Sequence, residues 1–225
     1  MDRLTLIKEL INQGRKNYLE IGVENGHVFF RVKSTQKVAV DPEFKFDTVR
    51  KIGKIFSNPK NIFNKYYPQT SDDFFRLHGD NLYKNNKLDL ALVDGMHEYH
   101  YALRDAENVL KYLNNDGVII MHDCNPATAI AGGTFEEWLK NNEQDNWNGD
   151  VWKAIIHLRS LRKDINVFVA DCDYGLGIIT KQSPENTLNF TEAEIQSFTY
   201  DDLDKSRKEW LNLKPAAYLR EYFKF

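Results

Sequence analysis

The sequence predicts an α/β sandwich: a mostly parallel sheet with helices on both faces, ending in an antiparallel hairpin. Three observations carry this reading. From Tyr18 to about Thr180, short apolar runs alternate with stretches of helical periodicity, the pattern of parallel strands joined by crossover helices. The chain has 225 residues, 42% of them hydrophobic, enough for a single sizeable core. The last two apolar runs are separated only by Asp171-Cys172-Asp173-Tyr174-Gly175, a link that permits a hairpin and forbids another crossover helix.

Taken in order, the strands are Tyr18 to Ile21, Val38 to Val40, a weak one near Ile62 to Tyr66, Leu88 to Val93, Val118 to Met121, Val167 to Ala170 and Leu176 to Ile179, seven in all. Leu103, Ala106, Leu110 and Leu113 recur at helical spacing, and Asn114-Asn115-Asp116-Gly117 supplies a stop before the next strand. A later helix starts after Asp150 as N-cap, presents Val151, Ala154, Ile155 and Leu158, and closes at Asp164. Dinucleotide dehydrogenases continue with helical crossovers, so the terminal hairpin narrows the Rossmann-like reading. After Pro184 the composition turns to polar helical segments, with capping-box-like starts at Thr191 and Thr199. Residues 1–183 therefore read as one domain and 184–225 as a helical appendage. Its aromatic end, Tyr218, Tyr222, Phe223 and Phe225, is expected to pack on the domain or on a partner subunit.

A formal net charge of −3 and a pI near 6.1 give no global basic field. On charge alone neither nucleic acid nor an anionic membrane is favoured, and a small or neutral substrate is the easier expectation. Cys124 and Cys172 have no disulfide-framework or CxxC spacing and read as free thiols of a reducing compartment. There is no run of ~18 apolar residues, so no transmembrane segment is expected and the reading is cytoplasmic. A homo-oligomer is compatible with all of this.

At the first strand end the sequence reads Glu20-Ile21-Gly22-Val23-Glu24-Asn25-Gly26, an acid followed by two glycines that let the backbone turn tightly beside a ligand. Nineteen residues after Gly22, Asp41 ends the second strand, where an acid can bind ribose hydroxyls. GxGxxG is absent and Glu24 stands where a pyrophosphate would need backbone N–H groups, which argues against NAD. A cofactor that carries an amino acid and a sulfonium but no phosphate fits better. Glu20, Gly22, Asn25, Gly26 and Asp41 are thus candidate cofactor residues. For Thr70-Ser71-Asp72-Asp73 two readings stay open: a plain N-cap with acids at the positive helix end, or adenine recognition by Ser71 or Asp72.

The strand Leu88 to Val93 delivers Asp94, then Gly95 and His97, while the strand Val118 to Met121 delivers His122 and Asp123. Ligands of open parallel sheets bind outside the carboxyl ends of the strands, so these side chains share one rim. Asp94, His122 and Asp123 could hold a divalent ion, Mg²⁺ before Mn²⁺, with Asp94 also facing the cofactor. Such an ion would acidify and orient a substrate hydroxyl, and His97, with an unperturbed pKa near ~6.5, could take the proton.

The segments Tyr18-Leu19-Glu20-Ile21-Gly22, Val93-Asp94-Gly95-Met96-His97-Glu98-Tyr99, Asp105, Gly117 to Pro126 with its His122-Asp123-Cys124-Asn125-Pro126, Gly149 to Ala154 and Tyr174-Gly175-Leu176-Gly177 together carry a family resemblance. They resemble class I S-adenosylmethionine-dependent methyltransferases of the bacterial group that includes macrocin-type sugar O-methyltransferases. The resemblance spans about residues 17–180 and implies S-adenosylmethionine as donor and Mg²⁺-assisted transfer to a sugar hydroxyl of a small molecule or glycan precursor. It also implies Asp94 and Asp123 as ligands and His97 at the position of the base. Those members carry two adjacent acids where this chain has His122-Asp123. Two alternatives remain: a metal-independent methyltransferase with another acceptor, and a non-catalytic S-adenosylmethionine-binding subunit.

Overall fold

Asp2 accepts the Thr5 amide and so caps helix α1 (Arg3–Asn12), which buries Leu6, Ile7 and Leu10. The computed structural model describes residues 1–141 and 146–225. After α1 come β1 (Asn17–Ile21), a 3₁₀ turn (Phe29–Arg31), β2 (Gln36–Val40), α2 (Thr48–Ser57), a second 3₁₀ turn (Pro59–Phe63) and β3 (Lys65–Tyr67). One continuous helical run follows, made of α3 (Ser71–Phe74), a π turn and α4 (Asp80–Tyr83). Then come β4 (Leu88–Val93), α5 (Tyr99–Tyr112), β5 (Leu113–Met121), α6 (Phe135–Lys140), α7 (Val151–Leu161), β6 (Asn166–Asp171) and β7 (Leu176–Thr180). The chain closes with α8 (Glu192–Ser197), α9 (Tyr200–Trp210), β8 (Lys214–Pro215) and α10 (Tyr218–Phe223).

The strands form one sheet in the order β3-β2-β1-β4-β5-β7-β6-β8. Only β7 runs antiparallel to its neighbours, so the expected terminal hairpin is present. Alternate side chains of the buried strands face two separate cores. Leu19, Ile21 and Ile119 pack with α5 and α7, while Tyr18, Ile120 and Phe168 pack with α1 and α10.

The structure corrects the sequence reading at four points. Among the described residues the sheet has eight strands, not seven: β8 adds to the edge beside β6, and a two-residue strand containing a proline has no periodicity to read. The third strand lies at 65–67, past the expected 62–66. Asn114 to Gly117 do not stop a helix before a strand. They lie within β5, which already pairs at Leu113 and shifts register next to Leu88. Asp150 sits before α7, yet its carboxylate accepts the Tyr99 amide at 2.6 Å and so caps α5 instead. The caps expected at Thr70, Thr191 and Thr199 all form.

The segment after Pro184 is packed into the body. Leu188, Ile195, Leu203, Trp210 and Leu211 join one core, and Leu219 joins the other. Arg159, nearly fully buried, donates to the carbonyls of Glu209 and Trp210, tying α7 to the end of α9. Leu203 is fully buried, so Leu203→Ala is expected to cost about 2–5 kcal/mol. Urea unfolding checks this, and a loss below about 1 kcal/mol would mean the segment packs too loosely to stabilise the sheet.

Candidate functional site

One hydrogen-bond pattern builds the rim. The first residue past each strand end donates its amide to the last carbonyl of the neighbouring strand. Asp41 N–H bonds Tyr67 O at 3.3 Å, Gly22 N–H bonds Val40 O at 3.0 Å, Asp94 N–H bonds Ile21 O at 2.9 Å, and His122 N–H bonds Val93 O at 3.0 Å. The four residues stand side by side along the carboxyl edge of β2, β1, β4 and β5. Gly22, at φ +79°, makes this possible, because a Cβ there would lie 1.9 Å from the Asp94 carbonyl oxygen.

Asp94, His97, His122 and Asp123 converge on this edge, as expected, and two unexpected groups join them. Arg3, from the start of α1, places Nε 3.4 Å from Asp94 Oδ2 and Nη1 2.9 Å from Asp173 Oδ1. Asp173, in the β6–β7 link, also accepts the Arg3 amide at 2.8 Å. His122 Nδ1 lies 2.7 Å from Asp123 Oδ2 and 3.2 Å from Asp94 Oδ1. Burial resists charging Asp94, but the His122 hydrogen bond and the nearby Arg3 charge hold its carboxyl well below the usual range.

His122 is pulled two ways. Burial opposes its protonation, while the carboxylates of Asp123 and Asp94 beside Nδ1 favour a proton there. Its Nε2, however, lies 2.8 Å from Arg3 Nη1, and a guanidinium only donates. The contact therefore requires Nε2 to accept and the proton to sit on Nδ1. Neither nitrogen then offers a lone pair to a metal.

His97 is arranged differently. Its Nδ1 lies 3.0 Å from Trp147 O, which fixes the proton there, and Nε2 faces Asp123 Oδ2 at 3.2 Å and Asp94 Oδ1 at 3.5 Å. Among the described residues, the three-donor group compact enough for an ion is Asp94, His97 and Asp123, their donor atoms within 4.8 Å of one another. Two carboxylates and an imidazole whose far nitrogen is bonded to a carbonyl suit a divalent cation. In that set His97 takes the place expected for His122.

The expected cofactor residues divide into two groups. Asp41 lies at the rim, with Oδ2 accepting the Val23 and Glu24 amides at 2.8 Å and Oδ1 accepting that of Glu43, so it braces the glycine loop and keeps one lone pair on Oδ1. Asn25 Oδ1 accepts the His27 amide, and Gly26 packs on the Phe30 ring. Glu20 does not reach the rim: it is 2% exposed and its Oε2 accepts the Tyr18 hydroxyl at 2.5 Å. Ser71 hydrogen-bonds the buried Asp105, and Asp72 pairs with Arg104 at 2.7 Å, so both tie α3 to α5.

Sequence reasoning missed Arg3, Asp173, Trp147 and Asn148, whose amide donates to Asp123 Oδ1. For Asp173 a signal existed: a strand antiparallel to β5 must begin at the carboxyl rim, so the link before it returns there. Nothing local marks Arg3, which reaches the site only through the packing of α1.

Burial raises the Glu20 pKa from 4.5 to about 8, outweighing the Tyr18 hydrogen bond. A carboxyl whose folded pKa lies above its unfolded value is favoured protonated in the fold. Its stabilisation is full below 4.5 and is lost as pH climbs toward 8. Glu20→Gln is expected to flatten the stability–pH curve across that window, as measured by denaturant unfolding at pH 5 and pH 8, and an unchanged slope would refute the assignment.

The residues 19–124 match the methyltransferase domain family. No curated protein matches the sequence. The O-methyltransferase TomG from Streptomyces achromogenes, solved with SAM, has a similar structure at TM-score 0.57 and 10% identity, covering 80% of this chain and 79% of that one. The cofactor-bound Rv0187 from MTB gives 0.56 and 10%, with the same coverage. A methyltransferase from Geobacter sulfurreducens gives 0.50 and 12%, covering 81% and 80%. At these identities the likeness is one of fold. Residues 19–124 thus carry a methyltransferase domain, set on a mostly parallel Rossmann-like sheet whose β6–β7 hairpin is that of the class I methyltransferase fold.

Proposed function

We propose that the chain methylates a hydroxyl of a sugar or glycosylated small molecule, with His97 as the base. One observation carries this: His97 has its Nδ1 proton fixed on Trp147 O and its Nε2 turned toward the carboxylate rim, beside an aromatic surface. The Trp147 ring lies 5.4 Å from the His97 ring, with Phe135 4.9 Å and Trp138 6.4 Å further along. Flat aromatic faces beside a base suit the apolar face of a sugar ring. This agrees with the resemblance to macrocin-type enzymes. Of the acceptor loop around 124–150, residues 142–145 lie outside the described residues.

In this reading the acceptor oxygen takes the methyl carbon as the carbon–sulfur bond breaks. His97 Nε2 receives the hydroxyl proton, and Asp94 and Asp123 stabilise the imidazolium that forms. Gly22 and Asp41 shape the cofactor side. A divalent ion, when bound, would supply charge that acidifies the acceptor hydroxyl, and Asp94, His97 and Asp123 would hold it. Only Nε2 of His97 faces the rim, so it serves as ligand or as base, not both.

A metal-independent site is favoured by Arg3, which already brings a permanent cation to Asp94 and Asp173. Chelation separates the two readings: activity that survives EDTA supports the base, and activity lost and restored by Mg²⁺ or Mn²⁺ makes His97 a ligand.

His97→Asn is expected to lower transfer of labelled methyl to hydroxylated acceptors by ~10²–10⁴-fold while leaving S-adenosylhomocysteine affinity within a few fold. Retained turnover would remove His97 from the mechanism. Gly149, at φ +65°, packs so closely that a Cβ would lie 1.6 Å from the His97 carbonyl oxygen. Gly149→Ala is therefore expected to displace His97 and cost roughly 100-fold in kcat, with cofactor binding kept in calorimetry.

A further inference from the structure

Helix α2 is mounted inside out. Val49, Ile52 and Phe56 lie on one face and are 75%, 53% and 85% exposed, while the side turned to the body carries Lys51, Lys54 and Ile55. Lys51 lies over the Tyr66 ring at 4.4 Å and Phe46 at 5.6 Å, so an aromatic cluster holds the helix through a cation. The adjoining 3₁₀ turn extends the apolar face with Ile62 and Phe63, 65% and 59% exposed.

This orientation is built in. Buried Asn58 donates to the carbonyls of Phe30 and Val32, and buried Asn61 donates to those of Phe30 and Lys54. Lys37, also buried, donates to Phe29 O, Val32 O and Asn61 Oδ1. The turn that follows α2 is thus locked to the body by satisfied polar groups.

Apart from Asp47, which caps the start of α2, the charge along this segment is positive. From Thr48 to Thr70 the sequence holds Arg50, Lys51, Lys54, Lys60 and Lys65 and no Asp or Glu, in a chain of net charge −3. A groove of about 530 Å³ opens beside α2, lined by Lys8, Arg31, Lys33 and Lys54 with no acidic residue. A two-fold dimer through this face would set the cations against their own copies. A nucleic acid would leave Phe56 and Ile62 without an apolar counterpart. An apolar ridge ringed by cations matches an anionic bilayer, whose acyl boundary takes the ridge and whose headgroup phosphates meet the lysines.

We propose that the α2 face docks the enzyme peripherally on anionic membrane surfaces. The test is co-sedimentation of the full chain with phosphatidylcholine vesicles with and without about 30% phosphatidylglycerol. Binding is expected only to the anionic vesicles, weakening with salt. It should fall roughly tenfold or more in the Ile52→Asp/Phe56→Asp variant, and roughly fivefold in Lys60→Glu. Both variants change exposed side chains, so the melting temperature and S-adenosylhomocysteine binding should hold. The proposal fails if wild type ignores anionic vesicles or if the double variant binds them equally. It also fails if the face instead mediates a dimer in sedimentation equilibrium, or binds an oligonucleotide in preference to vesicles.

Discussion

The carboxyl rim depends on the stagger of backbone bonds that runs past the strand ends. Once β4 pairs with β5, Val93 opposite Met121, the next amide of each strand falls on its neighbour's last carbonyl. Asp94 and His122 are thereby placed beside each other by the sheet itself, without a loop to position them. Sites set on strands are held more tightly than sites set on loops, because a ladder bond fixes direction as well as distance. Asp123, at φ +60°, leaves the ladder at once and turns its carboxylate toward Asn148 and His97. The same strictness explains why Gly22 has no substitute: two loops cross at backbone contact.

Three carboxylates meet at this rim, and such a group is stable only if its charge is met. Arg3 does so permanently, and the two imidazoles share what remains. His122 stands between Asp123 and Arg3, passing a hydrogen bond from the guanidinium toward the acids. A second acid at position 122 would have placed a fourth carboxylate here. In this chain the imidazole and Arg3 answer each other, which couples the N-terminal helix to the reactive edge.

Much of this was legible in the sequence because strands and their carboxyl ends are local signals. Alternation of apolar runs gave the order of strands, and Asp94, His97 and Asp123 follow directly from where those runs stop. Glu20 shows the limit. It is one step before the strand end, and in a strand one step reverses the face, so it points into the core and not at the ligand. His122 stands outside the compact donor group for a non-local reason, since its Nε2 meets Arg3, 119 residues away. The eighth strand was unreadable for the opposite reason: two residues are too few to have a period.

Net charge is a sum, and a sum hides segregation. A value of −3 argues against a global basic field, yet it places no bound on a stretch such as 48–70, where every ionisable side chain except tyrosine is a cation. Periodicity misleads there as well. An apolar stripe of Val49, Ile52 and Phe56 is ordinarily the side a helix buries, and only the three-dimensional arrangement shows that Lys51 has taken that side. A lysine can do so because its stem is apolar and its ammonium is satisfied by the faces of Tyr66 and Phe46. A cation–aromatic contact in this setting contributes about 0.5–2 kcal/mol, comparable with what burying one of the exposed apolar side chains would give. Three such side chains stay exposed on α2, so the contact offsets only part of what burying them would give, and the inversion leaves an apolar ridge framed by positive charge facing outward.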